Sequence, residues 1–336
     1  MNGWANHLVI VPILLPLLTG ATILLFHERN RALRAGISLG AALALVVVAG
    51  VLLRMAGSGG FDDPVNVYLL GNWAAPFGIV LVLDKLSALM LMLASILALA
   101  SLVFSLARWH RAGVQYHALF QFLLMGLNGA FLTGDLFNLF VFFEVMLAAS
   151  YGLALHGSGL ARVRAGMHYI VVNLVASFLF LIGVSLIYGV TGTLNMADLA
   201  VRAPQVVAQD RMLLEAGAAV LGVAFLVKAG MWPLSFWLPT TYTAAAPPVA
   251  AVFAIMSKVG IYVVLRLSLL LFAHGEEPAQ FGSEWLLYGG MATIAFGMVG
   301  VLAAQETARI AGFTILVSSG TLLAAVGTNR VDVTVG

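Results

Sequence analysis

The chain of 336 residues contains no cysteine. It therefore has no disulfide, and no thiolate for zinc, an iron–sulfur cluster or nucleophilic catalysis. Charge is scarce as well: Asp, Glu, Lys and Arg make up 9% of the residues, against about 25% in a soluble domain. The first apolar run has no basic segment ahead of it and no clear cleavage site, so a secretory signal peptide is not expected. There is no phosphate-cradling glycine loop, no nucleophile elbow and no basic patch, so neither a nucleotide cofactor nor a nucleic-acid partner is expected. None of the seven histidines has the spacing of a zinc helix, and no metal site is expected.

What is present is apolar: 62% hydrophobic residues, with mean hydropathy +1.05. No soluble shape hides that much apolar surface, so the chain reads as an all-α polytopic membrane protein. Runs of about twenty apolar residues predict ten spans. They lie near 8–26, 33–55, 84–107, 115–133, 136–156, 166–190, 212–232, 247–272, 284–304 and 307–327. The runs do not alternate as barrel strands would. The 35 glycines suit close helix contacts in lipid.

The odd-numbered connections carry Arg29, Arg31, Arg34, Arg108, Arg111, Arg162, Arg164 and Arg309. The even-numbered connections and the tail carry Arg54, Lys85, Arg202, Arg211, Arg266 and Arg330, with most of the acids, among them Asp62, Asp63, Glu276 and Glu277. Eight cations against six, in much shorter loops, put the odd connections in the cytoplasm and the N-terminus outside.

Against this background three ionisable residues lie inside spans. Glu144 sits in DLFNLFVFFEVMLAASYGLAL, Lys228 in AGAAVLGVAFLVKAGMW and Lys258 in APPVAAVFAIMSKVGIYVVLRLSLLLF. A charge near the bilayer centre costs at least ~2.5–3.5 kcal/mol on insertion scales, so it is expected to have a partner and a task. Placed together, Glu144 and Lys228 would each hold the other charged; drawn apart, the lysine tends to release its proton. The plainer alternative is a static ion pair locking two helices. Snorkelling does not serve Lys258, which is about eleven residues from either end of its helix.

The seventh span should break just past Lys228. Trp232-Pro233 follows within five residues, and Pro239, Pro247 and Pro248 come soon after. Proline removes a backbone donor and clashes with the preceding turn. The break is expected between about Trp232 and Pro239, lining a hydrated cavity on the cytoplasmic side. The alternative is an interfacial connector with Trp232 and Trp237 in an aromatic belt. His117, His156 and His168 fall near cytoplasmic span ends and are candidates for a proton-uptake cluster; individually they also suit helix ends at the interface. Asp84-Lys85 opens span three at the outer surface and reads as an interface pair, and Asp135 precedes span five as a candidate cap.

TGDLFNLFVFFEVMLAASYGLALHG resembles the fifth helix of antiporter-like membrane subunits. KAGMWPLSFWLPTTYTAAAPPVAAVFAIMSKVGIYVVLR resembles their broken seventh helix and their eighth, and IYGVTGTLNMADLA the loop after their sixth. Together these resemble the D-type subunits of the multisubunit Mrp/Pha-type cation/proton antiporters, a family similar to the proton-pumping membrane subunits of respiratory complex I. The resemblance implies proton translocation by Glu144, Lys228 and Lys258, Na⁺ or K⁺ as counter-ion, other antiporter subunits as partners, and a bacterial cytoplasmic membrane. It also implies three regions: an N-terminal three-helix segment over 1–110, a five-helix repeat over 111–275, and the first two helices of an inverted second repeat over 276–336, where the chain stops short of the family's full set. A redox-linked membrane-arm subunit and a non-transporting structural subunit are the alternatives.

Overall fold

The computed structural model describes residues 5–27, 29–57, 65–73, 76–157, 159–271 and 282–328. Glu28, Asp62, Asp63, Glu276, Glu277 and Arg330, counted in the charge balance, lie outside the described residues. After a short 3-10 turn (Ala5–Ile10) come α1 (Val11–Leu25), α2 (Arg31–Gly57), β1 (Asn66–Leu69), β2 (Val80–Leu83) and α3 (Lys85–Ser105). There follow α4 (Tyr116–Leu132), α5 (Leu136–Ala154), α6 (Leu160–Thr191), α7 (Met196–Arg202) and α8 (Ala208–Ala229). The last are α9 (Trp237–Ala244), α10 (Pro247–Leu271), α11 (Ser283–Ala303) and α12 (Thr307–Gly327).

All ten expected spans are helices. Among the described residues nine are long and apolar enough to cross a membrane; α4, at 17 residues, is the shorter tenth. The expected Asp135 cap forms, and Asp84, read as an interface pair with Lys85, caps α3. The Asp84 carboxylate accepts from the Ser87 amide at 2.7 Å while the Ser87 hydroxyl accepts from the Asp84 amide at 2.9 Å, a reciprocal box that starts α3. The Asp135 carboxylate accepts from the Asn138 amide at 2.9 Å and starts α5.

Two features depart from expectation. The connection between α2 and α3 holds an antiparallel pair, β1 and β2, in register from Asn66↔Leu83 to Leu69↔Val80. Its segments, NVYL and VLVL, are rich in β-branched and aromatic residues, and Gly71 and Asn72 at positive φ turn the chain between them. And α6 begins at Leu160, so Arg162 and Arg164 sit in its first turns rather than in a loop.

By its contacts the chain forms two compact units: Met1–Ser158 with Ala246–Val252, and Gly159–Ala245 with Phe253–Gly336. Within the first, α4 is pressed onto α5. A side chain at Gly126 would meet the Phe142 carbonyl and the Met146 amide at 2.7 Å, so only glycine permits this approach on either side of Glu144. Within the second, Gly183 of α6 lies against the backbone of Leu221 in α8, and Gly290 of α11 against Gly320 of α12. Side chains such as Leu18, Phe178 and Met212 stay exposed, which suits helices bathed in lipid rather than water.

Candidate functional site

The break after Lys228 is built by glycine first and proline second. Gly230 takes φ +73°, the left-handed conformation that L side chains avoid. The Gly230 amide then bonds back to the Val227 carbonyl at 3.2 Å and the Met231 amide to the Leu226 carbonyl at 3.0 Å. This is the Schellman pattern, and it ends α8 one residue beyond Lys228. The peptide bond Trp232-Pro233 is cis. The chain runs as turns to Phe236, and α9 resumes at Trp237.

The unwound stretch thus spans 230–236, not 232–239 as expected. Pro239 lies in the first turn of α9, where an amide has no intrahelical partner, so its missing donor does no harm. Pro247 and Pro248 likewise open α10. The freed backbone finds partners. The Trp237 indole donates to the Val227 carbonyl at 3.1 Å, and the Trp232 amide to the Thr293 hydroxyl on α11 at 2.9 Å. Arg162 donates to the Ala244 carbonyl, the last of α9, at 2.9 Å, a cation on the negative end of a helix. Trp237 is buried against Tyr169, with ring centroids 5.4 Å apart, so it is no belt residue; Trp232 is exposed. A cavity of about 720 Å³ is lined by the break's Met231 and Leu234 together with Phe225, Leu226, Val264 and Trp285, an apolar wall for the most part.

Lys228 is buried, in the last turn of α8, where the helix's unpaired carbonyls favour a cation. Its ammonium reaches the Ser177 hydroxyl of α6 at 3.5 Å. Lys258 lies on α10, whose Gly260 touches α8 at the Phe225 carbonyl and the Ala229 amide. The Lys258 ammonium donates to the Ser319 hydroxyl at 2.9 Å and to the Ile315 carbonyl at 3.3 Å, both on α12. The two amines therefore stand on helices in backbone contact, each facing a serine of a third helix. Glu144 belongs to the first unit. It is half-buried on α5, two turns from Tyr151 on the same face and within reach of its hydroxyl electrostatically.

Of the three candidate histidines, two come together and one does not. His117 and His156 are buried and flank Tyr116, whose ring centroid is 5.4 Å from the first and 5.0 Å from the second. His168 is exposed on α6, in the other unit. The cluster instead takes in His110, which no pattern in the sequence singles out: its Nδ1 lies 3.2 Å from His117 Nε2. Burial first, then the Arg111 and Arg31 charges, lower the His110 pKa below the usual histidine value.

The model of the transmembrane family described as NADH:quinone oxidoreductase/Mrp antiporter matches residues 133–331. The chain belongs to this family. The match takes in Glu144, the broken helix and both lysines. A probable K⁺/H⁺ antiporter D-subunit of Rhizobium meliloti is 63% identical over 329 residues, which is 97% of this chain and 61% of that protein. A chain of the Mrp complex from Dietzia is 33% identical with TM-score 0.79, covering 97% of this chain and 59% of that one. A chain of the membrane-bound sulfane sulfur reductase, an archaeal respiratory membrane complex, is 27% identical with TM-score 0.87, covering 95% and 64%. The resemblance to the D-type antiporter subunits is borne out. The chain spans about three fifths of the length of these relatives.

Proposed function

We propose that the chain is an ion-translocating membrane subunit of a multisubunit Na⁺(K⁺)/H⁺ antiporter. Protons pass through Glu144, Lys228 and Lys258, and the exchanged cation is Na⁺ or K⁺. The observation that carries this reading is the pair of amines on touching helices, each against a hydroxyl and beside a broken helix, in a family of antiporter and respiratory membrane subunits. A serine hydroxyl accepts from an ammonium and donates to a neutral amine, so it serves a lysine both before and after the proton leaves. A static ion pair would not need the break; a transfer site uses it, because backbone that leaves the helix beside an amine can line a cavity. His117 and His156, with His110, form the proton-uptake cluster of this reading; His168 does not join them.

Under the same reading the protein lies in a bacterial cytoplasmic membrane with its N-terminus outside, and works with the other antiporter subunits. It acts as a transporter subunit and not as an enzyme. The second reading, a redox-linked membrane-arm subunit, is favoured by the likeness to the sulfane sulfur reductase complex. The partners separate the two: small antiporter subunits in one case, iron–sulfur and quinone-site subunits in the other.

The test is cation exchange driven by a pH gradient in everted vesicles carrying the assembled complex, with and without Lys228→Ala. The expected result is loss of exchange at normal assembly. Normal exchange would refute the translocation reading, and reduced assembly with normal turnover per complex would make the chain a structural subunit.

A further inference from the structure

Beyond the His110–His117 pair, the first unit buries further polar groups that the reading above leaves unused. On α4, His117, Gln121 and Asn128 follow one another at steps of four and seven, so they share one face of the helix. Gly126, which meets α5, is on the opposite side. The stripe therefore faces away from Glu144. Gln121 donates to the Ser38 hydroxyl of α2 at 3.0 Å and to the Ser38 carbonyl at 3.1 Å. Asn128 donates to the Pro12 carbonyl of α1 at 2.8 Å. At the other end Arg34 of α2 donates to Gln115 at 3.1 Å, and His117 pairs with His110.

Each of these residues is satisfied on one atom and left without a hydrogen-bond partner on another. Gln121 Oε1, Asn128 Oδ1, His117 Nδ1 and Arg34 Nε are all buried and unpartnered among the described residues, as is Ser101 Oγ on α3. Gln121 is 0% exposed, Asn128 1% and Arg34 3%. Polar atoms in such places have a partner as a rule, and the commonest non-protein partner is ordered water. The chemistry of the set narrows the choice. Two amide oxygens can only accept, the guanidinium Nε–H can only donate, and the imidazole and hydroxyl can do either. An anion would be repelled by the amide oxygens and a cation by the guanidinium. Water, which donates and accepts, suits all five.

We propose that this face of α4 lines a water-filled path through the first unit, along which protons move between the Arg34–His117 end, at the uptake cluster, and Asn128, on the side of α4 away from Glu144. From His117 to Asn128 is eleven residues, about 17 Å of helix rise, more than half of a hydrocarbon core. Both ends carry protein groups that bond to water, and the apolar residues between are bridged by the Gln121 amide. The proposal rests on the reading that the protein translocates protons.

These 336 residues contain no cysteine, so an introduced thiol is the one such group among them. In the assembled complex in everted vesicles, Gln121→Cys and Asn128→Cys are treated with 2-aminoethyl methanethiosulfonate and followed by mass. Leu123→Cys, buried on another face of α4, is the dry control. A thiol reacts as thiolate, which water stabilises and an apolar wall does not, so labelling at 121 and 128 is expected at least about tenfold faster than at 123. Rates equal to the control overturn the path. Exchange is then measured for Gln121→Leu, expected at least about tenfold slower, and for Gln121→Glu, which keeps a polar chain of the same length and is expected to retain exchange; a tenfold rate is about 1.4 kcal/mol in the barrier. Labelling with normal exchange in Gln121→Leu overturns proton conduction. If Gln121→Leu does not assemble, the labelling rates decide. The Lys228→Ala result reports on the translocation reading alone, so the two can fail separately.

Discussion

Gly230 is where the geometry beside Lys228 can be tested most sharply. Its φ of +73° costs a non-glycine residue roughly 1–2 kcal/mol. A Cβ there would also meet Leu238 Cδ1 at 2.9 Å and Leu316 Cδ2 at 3.3 Å, both ends of flexible chains that can give. Gly222, two turns earlier in the same helix, has ordinary helical backbone and nothing within 4 Å of a Cβ, so Gly222→Ala should gain about 0.5–1 kcal/mol from helix propensity. The same substitution eight residues apart is thus expected to act with opposite sign, the two differing by about 1.5–3 kcal/mol. At about 2–4 °C per kcal/mol, that separates the two apparent melting temperatures by about 3–12 °C. The assay is thermal unfolding of the purified complex in detergent at one fixed scan rate, because membrane complexes unfold irreversibly. Gly230→Asn, which tolerates the left-handed region, should fall between wild type and Gly230→Ala. Exchange should decline in the same order, because the Schellman turn sets where the Lys228 ammonium points. A Gly230→Ala complex as stable as Gly222→Ala would refute the claim that this turn fixes the break.

Two other substitutions bear on the second amine. Lys258→Arg keeps a charge that does not leave at working pH, since the guanidinium pKa exceeds about 12, so exchange should be lost while the complex assembles; exchange at the normal rate would make Lys258 a fixed structural charge. Ser319→Ala removes the acceptor at 2.9 Å and leaves the ammonium only the Ile315 carbonyl, which should slow exchange about tenfold or more, as a charge-assisted hydrogen bond of ~1.5–3 kcal/mol implies, whereas Ser319→Thr keeps the hydroxyl and should keep most of the rate.

The spans were legible because the bilayer demands long apolar runs, and the Asp135 cap because it stands directly before such a run; Asp84 stands in the same place before α3, but its neighbour Lys85 made the two read as an interface pair. The break was legible from proline, but its start was not placed correctly. Trp232-Pro233 marks a place the helix cannot continue, yet the helix stops earlier, where Gly230 can take the left-handed turn and give the Leu226 and Val227 carbonyls their donors. The strands between α2 and α3 were hidden for a different reason. They are four residues each, too short for a periodic pattern to stand out beside spans of twenty.

Partners of the buried charges could not be read at all. In a soluble helix the polar face points out and the apolar face identifies the interior, so periodicity reports which side meets the core. In lipid both faces are apolar, and nothing along α6 distinguishes Ser177 from Ser185, or along α12 distinguishes Ser319 from Ser318. Only three-dimensional contact selects Ser177 for Lys228 and Ser319 for Lys258. The same limit hid the α4 stripe. Gln121 and Asn128 read singly as two polar residues in an apolar helix; the pattern that links them to His117 appears once Ser38 and Pro12 are seen to face them. Ionisable groups in a span announce themselves by their cost, whereas amides and hydroxyls cost less and are noticed only when the fold shows which of their buried atoms lack a partner. A proton path is made mostly of the second kind. The residues that sequence singles out, Glu144, Lys228 and Lys258, are therefore where protons would pause, and the groups that would carry them between pauses have to be found in the fold.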